Sequence, residues 1–324
     1  MRRPRTGERG VRDLQLDVGF CFAETTVWLR SALHKSRVEN PLATRYRAPM
    51  KAVFPLVSAA LCACAVVPEA PGPDTPMALV FADDFDRPGA PDPERWAFDT
   101  HRNAQGWYND ELQYYGPANA RVADGSLRIT ARRGAPAGAP DYGGQLYSSA
   151  RLHTKGRFAF RYGRAEARIK VPCGRGLWPA FWMLPEGAHG WPEGGEIDIM
   201  EFVGHQPRTF HATIHTAASN HLDGTETGDT VRVRDACDAW HTHRLDWTAD
   251  RIMVSLDGEP YFTFANPRAG DDFWPFDKDF HLLLNMAVGG TWGGREGVDP
   301  NAFPAVMEVD YVRVWQSTAD IDSN

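Results

Sequence analysis

Gly163-Arg164-Ala165-Glu166-Ala167-Arg168-Ile169-Lys170-Val171 alternates small or apolar residues with charged ones without interruption. Successive side chains of a β-strand point to opposite faces, so this alternation predicts a strand with one buried and one solvent-facing side. The alanines, Ile169 and Val171 would lie on the buried face. A sheet with one face in a core is therefore the first structural expectation.

Other segments repeat the signal of a sheet. Residues 126–132 alternate in the same way, and Arg251–Leu256 is followed by Asp257-Gly258, which predicts a strand and a hairpin turn. The apolar runs 281–288 and 307–315 predict strands that are buried on both faces. Because no amphipathic stretch of helical spacing interrupts these strands, we expect an all-β protein, an antiparallel sandwich or barrel.

Composition and charge narrow the class of protein. The 324-residue chain is 43% hydrophobic and 24% charged, which is ordinary for a globular protein and excludes a collagen-like or disordered one. Residues 1–63 carry 11 Lys and Arg against 5 Asp and Glu, so a net charge of −7 leaves −13 on the remaining residues. An acidic body repels a phosphate backbone, so we expect a neutral polymer as partner and no nucleic acid.

The N-terminal quarter has the organisation of an export signal. Residues 50–64, MKAVFPLVSAALCAC, combine a Met, one Lys and a short apolar stretch. Leu61-Cys62-Ala63-Cys64 resembles a bacterial lipobox with Cys64 as the lipidated residue, and plain cleavage among the alanines is the alternative. Residues 1–49 have two interpretations. Either the start codon was assigned too far upstream and the protein begins at Met50, or these residues are a disordered basic arm. We expect an exported monomer, either a cell-envelope lipoprotein anchored in a bacterial membrane or a secreted protein.

Composition also sets the domain limits. Residues 65–76 form a Pro-rich tether, residues 77–318 a single folded domain, and residues 319–324 a tail. Cys173 and Cys237 are the cysteines of the folded domain. In an exported protein they would form a disulfide or remain two separate buried thiols, and the sequence leaves both readings open.

Three carboxylates stand close together in Glu196-Ile197-Asp198-Ile199-Met200-Glu201. Strict alternation places Glu196 and Asp198 on one face of a strand and Glu201 in the core, where an unpaired carboxylate is costly. A β-bulge around Ile199-Met200 would bring Glu201 to the same face as the other two. Taken alone, the segment is also compatible with a solvated face or a cation site.

Two such carboxylates fit the hydrolysis of a glycosidic bond. A retaining glycosidase needs one carboxylate as nucleophile and one carboxylic acid as proton donor, about 5 to 5.5 Å apart. Closely spaced negative charges push pKa values apart, so that one group stays ionised while another keeps its proton.

His211 and His215 lie four residues apart on one face of a predicted strand. Their separation of roughly 13 Å is too large for them to bind one zinc ion together.

The surrounding sequence resembles glycoside hydrolase family 16, and within it the laminarinase-like members, which carry the bulged pattern Glu-x-Asp-x-x-Glu. The likeness covers nearly all of residues 79–316. It runs in matching order and spacing through GLWPAFWMLP at 176–185, YNDELQYY at 108–115, SAR at 149–151, YGRAEARIK at 162–170, HATIH at 211–215, NMAVGG at 285–290 and VDYVRV at 309–314.

The resemblance implies a β-jelly roll, an antiparallel β-sandwich whose concave face forms the substrate cleft. It implies Glu196 as nucleophile, Glu201 as general acid/base, Asp198 as assisting carboxylate and His215 as their polar partner. Aromatic planes fit the C–H faces of sugar rings, and amide and guanidinium groups fit the hydroxyls. The positions expected in or near the cleft are Asn109, Glu111, Arg151, Trp178, Trp182, Asn285 and Trp292.

The implied activity is endo-hydrolysis of β-1,3-glucosidic bonds in laminarin-type β-glucan by double displacement, with no cofactor for catalysis. The alternatives are a mixed-linkage β-glucan or marine galactan hydrolase of the same family, and a non-catalytic β-glucan-binding module. Members of the family often hold a structural Ca²⁺ on the convex face, and Asp84, the Gly125 carbonyl and Asp310 are the matching oxygen ligands. Tyr108 and the loops 133–145 and 219–237 depart from the pattern, so substrate preference is the part that the resemblance determines least.

Overall fold

The computed structural model describes residues 76–237 and 239–318, and these form β-strands and short 3-10 turns. The 3-10 turns span Tyr108–Asp110, Pro117–Asn119 and Pro300–Ala302. The strands are β1 (Met77–Asp83), β2 (Ala97–Phe98), β3 (Gln113–Tyr115), β4 (Ala120–Ala123), β5 (Ser126–Arg133), β6 (Tyr147–Ser149), β7 (Arg151–His153), β8 (Gly163–Lys170), β9 (Leu177–Pro185), β10 (Glu196–Phe202), β11 (Thr209–His215), β12 (Thr227–Arg232), β13 (His241–Trp247), β14 (Arg251–Leu256), β15 (Glu259–Ala265), β16 (Phe280–Val288) and β17 (Ala305–Ser317).

The strands form two sheets. A ten-stranded sheet has the order β15-β14-β13-β8-β17-β5-β6-β3, with β1 added on β17 and β4 on β5. A seven-stranded sheet has the order β12-β11-β10-β9-β16-β7-β2. The predicted all-β jelly roll is confirmed. The pairing is antiparallel apart from β3 with β6, which run parallel.

The core lies between the two sheets, because the inward faces of both are apolar. The ten-stranded sheet contributes side chains such as Leu127 and Ile129, and the seven-stranded sheet contributes Phe181 and Ile197. Each of these four side chains is 0% exposed. At roughly 25 cal/mol per Å² of apolar surface, this burial is the main stabilising contribution to the sandwich.

Most of the strands predicted from alternation are observed. Residues 163–170 form β8, and its buried face carries the predicted alanines and Ile169. Asp257 and Gly258 join β14 to β15 with φ values of 51° and 92°. Positive φ at both central residues is the requirement of a type I′ hairpin turn, and Asp-Gly meets it.

The expectation of two buried faces holds for β16 but is wrong for β17. Every residue of β16 is buried. In β17 the exposure alternates, with Met307 and Val309 buried and Glu308 half-buried. The reason is position: β17 lies in the ten-stranded sheet, which packs on the core with one face only.

A disulfide joins Cys173 to Cys237, with their Cα atoms 5.1 Å apart and a sequence separation of 64. The structure therefore favours the disulfide over two separate thiols.

Residues 1–49, the signal 50–64, most of the tether and the tail 319–324 lie outside the described residues, so those assignments stay predictions. Within the described part, no helix is long and apolar enough to span a membrane.

Candidate active site

The three carboxylates of β10 share one face of the seven-stranded sheet. Glu196 pairs with His215 of β11 and Asp198 with Thr213, but Glu201 pairs with His211. Three steps along β10 thus match two steps along β11, which is a β-bulge with one additional residue. Pairing with β9 shifts between Asp198 and Met200. The predicted bulge is confirmed, and we call the face that carries Glu196, Asp198 and Glu201 the carboxylate face.

The two glutamates of the carboxylate face are held by different tryptophans. The indole N–H of Trp191 donates to Oε2 of Glu196 at 2.9 Å, and that of Trp178 donates to Oε1 of Glu201 at 3.0 Å. An N–H donor stabilises an ionised carboxylate and fixes its orientation. Each glutamate therefore has its own electrostatic environment although both stand on one strand.

Asp198 lies between the glutamates and faces an imidazole. Nε2 of His215 is 3.3 Å from Oδ2 of Asp198 and 3.9 Å from Oε1 of Glu196. The side chain of Asp198 is 4% exposed, whereas that of Glu196 is 16% exposed. Glu196 therefore has more access to water than Asp198.

Burial dominates the titration of this group. It raises the pKa of Asp198 to about 8. Burial and then repulsion from Asp198 raise the pKa of Glu201 to about 8 and that of Glu196 well above its usual range. The charge of His215 opposes the shift in both glutamates. The trio therefore holds protons near neutral pH and loses them as a coupled group.

A hydrogen-bonded chain beside the acids ends at Trp182. Oδ1 of Asn285 accepts from the Trp182 indole at 2.7 Å, and its amide donates to the Tyr115 hydroxyl at 3.1 Å. That hydroxyl donates to Glu111 at 3.4 Å, and Gln113 donates to the same Glu111 oxygen at 2.8 Å. Asn285 and Glu111 thus belong to one hydrogen-bonded chain, and its contacts orient the Trp182 ring.

Arg151 covers the other side of Trp182. Its guanidinium carbon lies 4.7 Å from the Trp182 ring centroid and 5.4 Å from that of Trp107. Its Nε is 3.0 Å from Oδ2 of Asp99, and the arginine side chain is 9% exposed. Arg151 is therefore a stacked and charge-paired support of the indole.

Trp292 and Asn109 lie at the end of the face near Glu201. The Trp292 ring meets Trp178 edge-on at 5.3 Å and His211 edge-on at 4.9 Å. Asn109 has a φ of 57°, and its carbonyl accepts from the backbone N–H of Thr291 at 2.7 Å. Left-handed backbone at a residue other than glycine is costly and is found at functional positions.

The residues expected to bind calcium face arginines. Asp84 accepts from Arg313 at 2.7 Å, and Asp310 accepts from Arg168 at 2.8 Å. Gly125 lies in the turn between β4 and β5, with a φ of 73°. In this arrangement each of the two carboxylates is paired with a guanidinium group. The calcium site stays a prediction.

Three residues of the site carry contacts that the sequence did not assign to them. Trp191 holds Glu196, and its ring lies 4.8 Å from that of His221, which meets His215 edge-on at 5.0 Å. Trp191 stands five positions before Glu196, and this proximity was the available signal. Tyr115 and His221 gave none, because the contacts of Tyr115 with Asn285 and of His221 with Trp191 join segments distant in sequence.

Comparison with known proteins agrees with this geometry. The model of glycosyl hydrolases family 16 matches residues 108–313. A beta-glucanase of Rhodothermus marinus is 48% identical over 250 residues, covering 74% of this chain and 85% of the relative. A glucan endo-1,3-beta-glucosidase of Cryptopygus antarcticus is 38% identical over 243 residues, covering 68% of this chain and 86% of the relative.

Solved structures extend the likeness to the fold. SCLam, a non-specific endo-beta-1,3(4)-glucanase, matches with a TM-score of 0.73 and 50% identity over 76% of this chain and 92% of its own. The laminarinase of Rhodothermus marinus matches with a TM-score of 0.69 and 48% identity over 74% and 97%. The chain is therefore a glycoside hydrolase that belongs to glycosyl hydrolases family 16.

Proposed function

We propose that the protein is a retaining endo-glycoside hydrolase that cleaves β-1,3-glucosidic bonds of laminarin-type β-glucan. The observation that carries the proposal is the bulge in β10, which places two glutamates with different N–H donors on one face. Relatives named for this activity cover most of the chain at high identity. A SCLam mutant co-crystallised with 1,3-beta-D-cellotriosyl-glucose presents 1,3-beta-D-cellobiosyl-glucose at its active site.

The proposed reaction passes through a covalent glycosyl-enzyme. Glu201 donates its proton to the glycosidic oxygen while the Glu196 carboxylate attacks the anomeric carbon, so that the C–O bond to the leaving sugar breaks. Glu201, now ionised, then takes a proton from water, and the resulting hydroxide attacks the same carbon and releases Glu196. Two inversions give net retention.

Asp198 and His215 adjust the charge of the nucleophile in this scheme. Asp198 repels a charge on Glu196, and the nearby imidazole of His215 favours it. A protonated Asp198 removes the repulsion when Glu196 must be ionised. Trp178, Trp182 and Trp292 offer aromatic planes for the sugar rings.

Substrate breadth follows from the relatives' names. SCLam, at 50% identity, is described as non-specific for β-1,3(4) bonds, so we extend the proposal to mixed-linkage β-glucan. A galactan-degrading relative, the keratan-sulfate endo-1,4-beta-galactosidase of Sphingobacterium multivorum, is 32% identical. A beta-1,3-glucan-binding protein of Penaeus monodon is 35% identical and represents the binding-module alternative. The presence of both glutamates on one face favours hydrolysis over binding alone.

The test is product release from laminarin, lichenan, agarose and carrageenan, side by side. We expect the wild type to release oligosaccharides from laminarin and lichenan with retained anomeric configuration by NMR, and Glu196→Gln to release almost none. Equal rates in both would remove Glu196 from the mechanism. Binding to laminarin without release by the wild type would establish the binding module instead.

We also propose export through the signal at 50–64, with lipid attachment at Cys64. The support is the lipobox-like sequence, which lies outside the described residues. Intact mass of the protein expressed in a bacterium distinguishes the outcomes. A diacylglycerol-sized increase that Cys64→Ser abolishes supports the anchor, and a mature chain without that increase supports secretion.

A further inference from the structure

We propose that Glu196, Asp198 and His215 form a binding site for a divalent transition-metal ion of the Zn²⁺ class, and that its occupancy blocks hydrolysis. The inference rests on the proposed function, because it concerns the same nucleophile. The three residues each offer one ligand atom, and these atoms all lie within 4.8 Å of one another. Among the described residues, no other group of three or more His, Cys, Asp or Glu side chains meets this condition.

The ligand atoms of the three residues lie close together, and one of them is buried without a hydrogen bond. Oδ2 of Asp198 is buried and has no hydrogen-bond partner among the described residues, although Nε2 of His215 is 3.3 Å away. Oε2 of Glu196 is engaged by Trp191, so Oε1, 3.9 Å from the same nitrogen, is the atom available to an ion. A buried carboxylate oxygen without a partner is costly, and a cation bound to it removes that cost.

The ligand set selects the kind of ion. Zn²⁺ is bound at about 2.0–2.2 Å by imidazole nitrogen and carboxylate oxygen in a tetrahedron, whose edges are then about 3.3 Å. The Asp198–His215 distance already matches such an edge. Ca²⁺ takes six to eight oxygen ligands, and Mg²⁺ prefers oxygen in an octahedron, so a site with an imidazole and two carboxylates disfavours both.

Binding of the ion and catalysis exclude each other. The lone pair of Glu196 that would coordinate the metal is the one that attacks the anomeric carbon. A bound dication also occupies the space between Glu196 and His215, beside the position of the reacting sugar carbon. Zn²⁺ would therefore hold the enzyme in a reversible inactive state, and removal of the ion would restore hydrolysis.

Calorimetric titration of the full chain with ZnCl₂ tests the site independently of activity. We expect the affinity to fall about tenfold or more in Asp198→Asn and in His215→Gln, since loss of even an outer-shell partner costs about 10–100-fold. His211→Ala is the matched control, because the His211 imidazole is on the same face but lies 3.0 Å from Oε1 of Gln206. The Zn²⁺ affinity of this variant should equal that of the wild type. Glu196→Gln is the third ligand variant and should also bind Zn²⁺ more weakly. Melting curves and circular dichroism establish that each variant is folded.

Equal Zn²⁺ affinity in the wild type and the ligand variants would overturn the site, as would the absence of binding by the wild type. A second arm measures laminarin hydrolysis with ZnCl₂, MgCl₂ or CaCl₂ at equal concentration. Only Zn²⁺ should inhibit, and EDTA should reverse it; full activity at saturating Zn²⁺ would overturn the mutual exclusion. If the wild type hydrolyses no glucan at all, the proposed function fails while the titration still decides the metal site.

Discussion

Two indole N–H groups distinguish the glutamates of the carboxylate face. Trp191 donates to Glu196 and Trp178 donates to Glu201, at nearly equal distances. A hydrogen bond to a charged group is worth about 1.5–3 kcal/mol, and it favours the ionised form of the acceptor. Each tryptophan therefore lowers the pKa of one glutamate in a site where burial raises the pKa of both.

Removal of each indole donor should move a different limb of the pH profile. In Trp191→Phe, Glu196 loses the bond that favours its anion, so the acidic limb of kcat/KM should move up by about 1–2 pH units. In Trp178→Phe, Glu201 is affected instead, so the basic limb should move up. The measurement is kcat/KM on laminarin as a function of pH, and a shift of the same limb in both variants would contradict this assignment.

The raised pKa of Glu201 sets the alkaline limit of activity. The general acid must carry a proton, and burial raises the pKa of Glu201 to about 8. Activity is therefore present below this pH and should decline as the pH rises through about 8, with Asp198 titrating in the same range. A substrate with a dinitrophenolate leaving group needs no protonation, so its first step should not show this decline. A laminarin profile that stays flat above pH 8 would show that Glu201 is not the acid.

At the level of the strand, the bulge in β10 sets the spacing of the acids as well as their face. Ile199 and Met200 are both fully buried and occupy the core side of the strand. Because side chains repeat every two residues, deletion of Met200 restores regular alternation and leaves all three acids on one face, closer together. Insertion of one further residue beside Met200 also gives an even spacing, but it moves Glu201 farther from Glu196 along the strand and turns Met200 out of the core.

We therefore expect the Met200 deletion to fold and to keep measurable activity. Its kcat should be about a hundredfold lower, since a displacement of about 1 Å in a catalytic group has that effect. The insertion variant should lose activity completely, because its two glutamates lie too far apart to act on one glycosidic bond, and it should melt at a lower temperature, because Met200 leaves the core. Laminarin hydrolysis and thermal melting measure both, and an active insertion variant would show that the spacing set by the bulge does not control catalysis.

Period-two patterns made the strands and the bulge predictable, because both depend on neighbours in sequence. The Asp257-Gly258 hairpin and the position of Glu201 on the carboxylate face followed from turn preferences and side-chain alternation. The burial pattern of β17 also follows from neighbours in sequence, since Glu308 and Asp310 alternate with Met307 and Val309, and the expectation of two buried faces overlooks this alternation. Tyr115 and His221 were missed because tertiary structure brings them to Asn285 and Trp191.

At the scale of the molecule, the Cys173–Cys237 disulfide closes a long loop that contains β9 to β12. Such a crosslink stabilises mainly by restricting the unfolded chain, by about 2–4 kcal/mol for loops of this size. The double variant Cys173→Ser, Cys237→Ser should therefore melt several degrees lower. Its kcat at room temperature should be unchanged, because both cysteines lie in loops outside the strand that carries the acids. Thermal melting with and without reductant measures the effect, and identical melting temperatures would contradict it.

Strand β17 pairs with β1, β5 and β8, so the last strand of the fold is an interior member of the ten-stranded sheet. During translation, β5 and β8 leave the ribosome long before the strand that must lie between them. The growing chain therefore has an open gap in that sheet until β17 has been synthesised. A chain that lacks β17 exposes the unpaired edges of β5 and β8, where another chain could pair.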